Sequence, residues 1–165
     1  MKFDKLLNLL TESFSKKLYH GTRSEFSKLK KNEYGIIWLA FDKEVALQYA
    51  QGKYYIKATD RVLEVKLKSN AKIVDFRDLK NKHIKEVYDS VSSTHRMNFG
   101  SEISEKDWVN DRADFGTIEA NIWIIGFLKS KKIDGIIVSD RNTRQAHLSV
   151  ALFNPNKIEY TELIK

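Results

Sequence analysis

The chain has 165 residues, of which 42% are hydrophobic and 31% charged, a composition typical of a single folded domain. It contains no cysteine, which excludes disulfides, thiolate metal sites and a cysteine nucleophile. Its 29 basic and 22 acidic residues give a net charge of +7, which favours an anionic partner such as nucleic acid, an acidic protein or a dinucleotide phosphate.

The first residues predict an amphipathic helix, because apolar residues recur at three- and four-residue spacing from Phe3 to Phe14. The simplest interpretation is a helix packed on the domain. A second interpretation comes from Leu10-Thr11-Glu12, which resembles the Leu/Ile-x-Glu cleavage signal of capsid-targeting peptides in some tailed phages. The predicted organisation is an N-terminal helix over 1–14, with a targeting peptide as the alternative, and one domain over 15–165.

Two short apolar strands, at 16–20 and 35–41, are predicted next, and a helix over 43–51 follows the second. The basic loop between the strands would either lie over a pyrophosphate or form a solvated face. No apolar run reaches the length of about 18 residues that a membrane span needs, so no membrane partner is expected.

Several residues at the ends of these strands suit ligand contact. Gly21, directly after His20, lets backbone approach a ligand closely, and Thr22 adds a hydroxyl group. Trp38 and Tyr49 are two aromatic side chains that could enclose a flat ring between them.

The remaining chain alternates strands and helices. The apolar spacing predicts strands over 61–67, 72–75, 136–139 and 147–153, and helices over 78–91 and 117–132. Residues 92–116 break the pattern, which predicts a lid or a target-recognition insertion.

These motifs resemble the ADP-ribosyltransferases of the His-Tyr-Glu class, the branch that includes the poly(ADP-ribose) polymerases. The resemblance rests on Tyr-His-Gly-Thr at 19–22, Gly-x-x-aromatic-x-Ala at 35–40 and Ala-x-x-Tyr-Ala at 46–50. Two later blocks resemble the closing region of phage and bacterial members, Asp-Gly-Ile-Ile at 134–137 and Ser-Val-Ala-Leu-Phe-Asn-Pro at 149–155.

The resemblance implies an α+β domain whose split core has two facing, mainly antiparallel sheets flanked by helices. NAD, as co-substrate, would lie across the cleft between the ends of the first two strands. His20 would hydrogen-bond a ribose hydroxyl of NAD. The Gly21 backbone would hold the nicotinamide carboxamide with help from Thr22, and Trp38 and Tyr49 would stack on the ring.

The sequence departs from the family at the catalytic glutamate, which falls on Ser149. A serine hydroxyl can donate a hydrogen bond but supplies no charge to an oxocarbenium-like transition state. Three alternatives follow: slow single transfer at Ser149 with His147 as general base, a different acid such as Glu119 at the site, or binding without catalysis.

The expected function is therefore NAD-dependent mono-ADP-ribosylation of a host protein or nucleic acid by a phage effector in the host cytoplasm, with packaging in the virion as a second location. The alternative is a catalytically inactive domain of this kind that binds nucleic acid or inhibits a host protein. No metal site is predicted. The catalytic set is His20, His147 and Ser149, and the NAD-binding set is His20, Gly21, Thr22, Trp38 and Tyr49.

Overall fold

The computed structural model describes residues 17–22, 29, 31–51, 61–140 and 147–164. These residues form an α+β fold with one mixed β-sheet of seven strands and several helices. The helix expected over 1–14 lies outside the described residues. Among those residues, no helix combines the length and the apolar character that crossing a bilayer requires.

The elements follow one another along the chain in short segments. The strands are β1 Leu18–Gly21, β2 Ile37–Ala40, β3 Val62–Leu67, β4 Ile73–Asp75, β5 Gly135–Asp140, β6 His147–Leu152 and β7 Ile158–Leu163. The helices are α1 Lys43–Gln51, α2 Lys82–Phe99, α3 Glu105–Asp107, α4 Phe115–Ala120 and α5 Trp123–Ser130, with a π-helical turn at Trp108–Arg112 and a 3-10 turn at Pro155–Lys157.

The sheet has the strand order β4-β5-β6-β2-β1-β3-β7, and every neighbouring pair is antiparallel except β4 with β5. Four residue pairs join β1 to β3, and four join β2 to β6. Between β1 and β2 the register has one pair, Tyr19 with Ala40. The sequence predicted two facing sheets, whereas the structure has one hydrogen-bonded sheet whose halves meet at this narrow junction.

The helices cover one face of the sheet. Paired residues of neighbouring strands point to the same face, so Trp38, Ser149 and Ala151 share a face. On this face lies the core cluster to which α2, α4 and α5 contribute, for example through Val87, Ile118 and Ile125. α1 packs beside it, and the opposite face carries a separate apolar cluster that includes residues of β1, β2, β3 and β6.

The helix predicted over 117–132 is in fact two helices, α4 and α5. Asn121 ends α4 with φ −134° and ψ 64°. Its side-chain amide donates a hydrogen bond to the Thr117 carbonyl oxygen at 2.9 Å. The apolar spacing continues through this break, so the spacing alone predicted one helix.

Residues 92–116, predicted to form a lid or a target-recognition insertion, are partly helical in the structure. α2 begins after its N-cap Asn81 and continues to Phe99, where Gly100 with φ 78° ends it. Trp108 is fully buried, and its indole N–H donates to the Phe76 carbonyl oxygen at 3.0 Å. Trp108, Ile103 and Ala113 therefore make this segment contribute to the main core cluster.

Candidate functional site

The junction between β1 and β2 is the candidate site. The strand register ends there at the pair Tyr19–Ala40. In a continued antiparallel ladder, the N–H of Gly21 would meet the carbonyl of Trp38. Instead, Nδ1 of His20 lies 2.8 Å from that carbonyl oxygen. We call this interruption of the pairing, at His20, Gly21 and Trp38, the β1–β2 opening.

The backbone of Gly21 is directed toward this opening. The N–H of the next residue, Thr22, donates to the Arg61 carbonyl oxygen at 3.0 Å, on the β3 side. Because successive residues of an antiparallel strand direct their backbone groups to opposite sides, the N–H and C=O of Gly21 point toward β2. Together they offer one donor and one acceptor, the complement of a primary carboxamide.

Gly21 also has a packing role, which the sequence analysis did not predict. A Cβ atom added at this position would lie 1.9 Å from the backbone oxygen of Ala46 in α1. The helix backbone therefore approaches β1 too closely for any side chain. This contact requires glycine whether or not a ligand binds in the β1–β2 opening.

Burial favours the neutral form of the His20 imidazole. Burial lowers its pKa below the usual 6.5, and the hydrogen bond to the Trp38 carbonyl only partly opposes this effect. Since a carbonyl oxygen accepts but does not donate, Nδ1 carries the proton and Nε2 has the lone pair. The imidazole can therefore accept a hydrogen bond from a hydroxyl group through Nε2.

The two predicted ring-binding residues have different neighbours. Trp38 packs edge-to-face against Phe115, at the start of α4, with ring centroids 4.9 Å apart. The hydroxyl oxygen of Tyr49 lies 3.5 Å from Nε2 of His147, and the two rings are 6.0 Å apart. Among the described ring contacts, Trp38 and Tyr49 do not touch each other. Phe115 is a site neighbour for which the sequence offered no signal.

Two of the three predicted catalytic residues, His147 and Ser149, lie on the helix-covered face, one strand away from the junction. The third, His20, pairs with Leu63 and alternates with Tyr19, so its side chain starts from the opposite face of the sheet. Ser149 is 3% exposed and lies between Ala40 of β2 and Val138 of β5 in the strand register. His147 precedes it by two residues on β6, so both side chains share this face. The structure thus brings His147 next to Tyr49 and leaves Ser149 enclosed by small and apolar neighbours.

The alternative acid, Glu119, lies near the start of β2. Burial raises its pKa, and the nearby carboxylate of Glu33, in the turn before β2, raises it further. Ser149 instead pairs with Ala40 at the end of β2. The two residues therefore lie toward opposite ends of this strand.

Two buried carboxylates are already engaged elsewhere. Glu64 lies 3.1 Å from the ammonium nitrogen of Lys17. Asp134 accepts the backbone N–H of Lys72 at 2.8 Å.

Within the described ranges, no group of three or more His, Cys, Asp or Glu residues is arranged to hold a metal ion.

No family model, curated protein or solved structure matches this chain. The geometry of the β1–β2 opening is therefore the basis for a functional assignment.

Proposed function

We propose that this chain is an ADP-ribosyltransferase-like domain that binds NAD at the β1–β2 opening and transfers one ADP-ribose to a macromolecule. The observation that carries the proposal is that the imidazole of His20, rather than the N–H of Gly21, bonds the Trp38 carbonyl. This arrangement directs the Gly21 backbone groups toward the opening, beside a neutral imidazole. A carboxamide and a ribose hydroxyl are the two groups of NAD that this combination suits.

Each binding residue then has a specific role. The Gly21 N–H donates to the carboxamide oxygen, and the Gly21 carbonyl accepts from the carboxamide NH₂. Nε2 of His20 accepts a ribose hydroxyl, and buried Thr22 supports the strand beside it. The rings of Trp38 and Tyr49 contact the nicotinamide.

The reaction breaks the glycosidic bond between C1′ of the ribose and the nicotinamide nitrogen. Nicotinamide leaves with the bonding electrons, and an acceptor nucleophile attacks the oxocarbenium-like C1′. His147 takes the proton of the acceptor, with Tyr49 beside its imidazole. Ser149 supplies a hydroxyl and no negative charge, so we expect transfer about 10²–10³-fold slower than with a carboxylate at this position.

A second candidate is NAD binding without transfer. It is favoured by the burial of Ser149 between Ala40 and Val138 and by the engagement of the buried carboxylate of Glu64 with Lys17. Comparison of Ser149→Glu with Ser149→Gln separates the two candidates, because these variants differ in charge at nearly equal size. If only Ser149→Glu speeds nicotinamide release, the position serves the reacting centre.

The test of the proposal is incubation of the purified protein with adenylate-labelled NAD and a bacterial lysate. Free nicotinamide and label on protein or nucleic acid are followed, with His20→Ala as the test variant. His95→Ala, in the exposed half of α2, is the matched control. Label transferred by the unmutated protein and the control, but not by His20→Ala, supports the transferase. NAD binding without nicotinamide or label supports the second candidate, and no NAD binding overturns both.

A further inference from the structure

A surface cleft of about 720 Å³ lies where β5 begins and β6 ends, away from the end of β6 that carries His147. Five lysines from four separate segments line it. They are Lys31 before β2, Lys72 before β4, Lys129 and Lys132 at the end of α5, and Lys157 in the 3-10 turn after β6. We call this site the lysine cleft.

The lysine cleft concentrates positive charge. Its lining has five lysines and one acidic residue, Asp134, so the net charge of the lining is +4. The net charge of the whole chain is +7. The carboxylate of Asp134 is already engaged, because it accepts the Lys72 backbone N–H and the Asn154 side-chain amide, each at 2.8 Å. It also lies 3.7 Å from the Lys157 ammonium nitrogen.

The other four lysines have no such partner. In the part of the chain that the structure describes, Lys31, Lys72, Lys129 and Lys132 form no ion pair with a carboxylate. Elsewhere on the surface, some cations are paired with carboxylates, as Arg96 is with Glu102 at 2.9 Å. Like charges brought together in this way repel one another, so a cluster of unpaired cations favours a bound anion.

The backbone at Lys132 is unusual for a lysine. Its φ of 60° lies in the left-handed region, where glycine or asparagine is usual directly after a helix. The partial negative charge at the end of α5 accounts for a cation such as Lys129 in the last helical turn. It does not account for Lys31, Lys72 or Lys157, which come from other segments.

We propose that the lysine cleft binds the phosphodiester backbone of a nucleic acid without reading its bases. Several separated cations fit a row of phosphates better than a single anion. The one aromatic residue of the lining, Phe153, is 1% exposed, so no ring is available for the base stacking that single-stranded binders use. The inference is independent of NAD binding, because the two sites lie at different ends of β6.

The experiment measures binding of a fluorescent duplex of arbitrary sequence, as DNA and as RNA, over a range of salt concentrations. The test variant is Lys72→Gln with Lys132→Asn, since asparagine tolerates the left-handed backbone. The matched control is Lys80→Gln with Lys106→Gln, two exposed lysines outside the cleft that give the same change in net charge.

We expect the test variant to bind duplex at least tenfold more weakly at low salt, and the control to bind within about twofold of the unmutated protein. Affinity decreases with salt, and the plot of log affinity against log salt should be less steep by about two in the test variant. The reason is that each phosphate contact contributes about 0.9 to the steepness. Comparison of the DNA and RNA arms shows which phosphodiester backbone the cleft prefers.

Equal losses in both double variants would overturn the proposal, because the binding would then follow net charge alone. Competition by poly-L-glutamate as effective as by duplex would assign the cleft to an acidic protein instead. His20→Ala should leave duplex binding unchanged, so failure of the NAD proposal is distinguishable from failure of this one. Thermal unfolding of each variant verifies that it is folded.

Discussion

The imidazole of His20 occupies the position of a backbone donor in the sheet, since it bonds the carbonyl of Trp38 that a continued ladder would give to Gly21. One side chain therefore accounts both for the end of the β1–β2 pairing and for an acceptor at the opening. The sequence predicted ligand contact at 20–22 from the conformational freedom of glycine. The sequence could not predict where the β1–β2 pairing ends, because this depends on a contact between two residues 18 positions apart.

Stability should depend on the protonation of His20. Burial lowers the pKa of the folded protein's imidazole, so below about pH 6.5 the unfolded chain binds a proton that the folded chain does not. The free energy of unfolding should therefore fall as the pH drops from about 6.5 toward the folded pKa. Urea unfolding on both sides of pH ~6.5 should show a smaller fall for His20→Asn. An identical pH dependence in both proteins would contradict this account.

Substitution of Gly21 by alanine tests the contact between β1 and α1. An added methyl group would meet the Ala46 oxygen, so Gly21→Ala should lower the free energy of unfolding by about 1–3 kcal/mol. Gly126→Ala is the control, because no atom lies within 4 Å of a Cβ at this exposed position in α5. Helix propensity predicts that the control gains about 0.5–1 kcal/mol. Equal urea midpoints for Gly21→Ala and Gly126→Ala would show that α1 can move away from β1 at little cost.

At the scale of elements, the sequence was most informative where local signals were strong. The helix predicted after β2 is confirmed as α1, and Asp42 accepts the backbone N–H of Glu44 at 2.7 Å as its N-cap. The break between α4 and α5 was missed because the apolar spacing runs through it. β7 was also missed, because an edge strand with five exposed residues has no apolar run.

The segment between α2 and α4 should behave as core. Trp108→Phe removes the indole donor to the Phe76 carbonyl and leaves a smaller ring against Phe76 and Tyr88. We expect a loss of about 2–4 kcal/mol in the free energy of unfolding, measured by urea. Trp123→Phe, 42% exposed on α5, should stay within about 0.5 kcal/mol. Equally small changes in the free energy of unfolding for both substitutions would indicate that this segment is a peripheral insertion.

At the scale of the whole molecule, the net charge of +7 indicated an anionic partner but not where it binds. The lysines of the cleft are separated by as many as 126 positions, from Lys31 to Lys157, and no local pattern connects them. Folding brings them to one end of the sheet, while the NAD-binding candidates gather around β1, β2 and α1. The aromatic pair Trp38 and Tyr49 was predicted from spacing, and its separate contacts with Phe115 and His147 follow from packing alone.

The most direct measurement is a calorimetric titration of the intact protein with NAD, followed by displacement with nicotinamide. We predict saturable binding by the unmutated protein and by His95→Ala, and at least about tenfold weaker binding by His20→Ala, which loses about 1.4 kcal/mol with the ribose hydrogen bond. Nicotinamide should compete, because it carries the carboxamide that we propose the Gly21 backbone binds. NAD binding that is unaffected by His20→Ala, or no binding at all, would contradict the assignment of the β1–β2 opening as an NAD site.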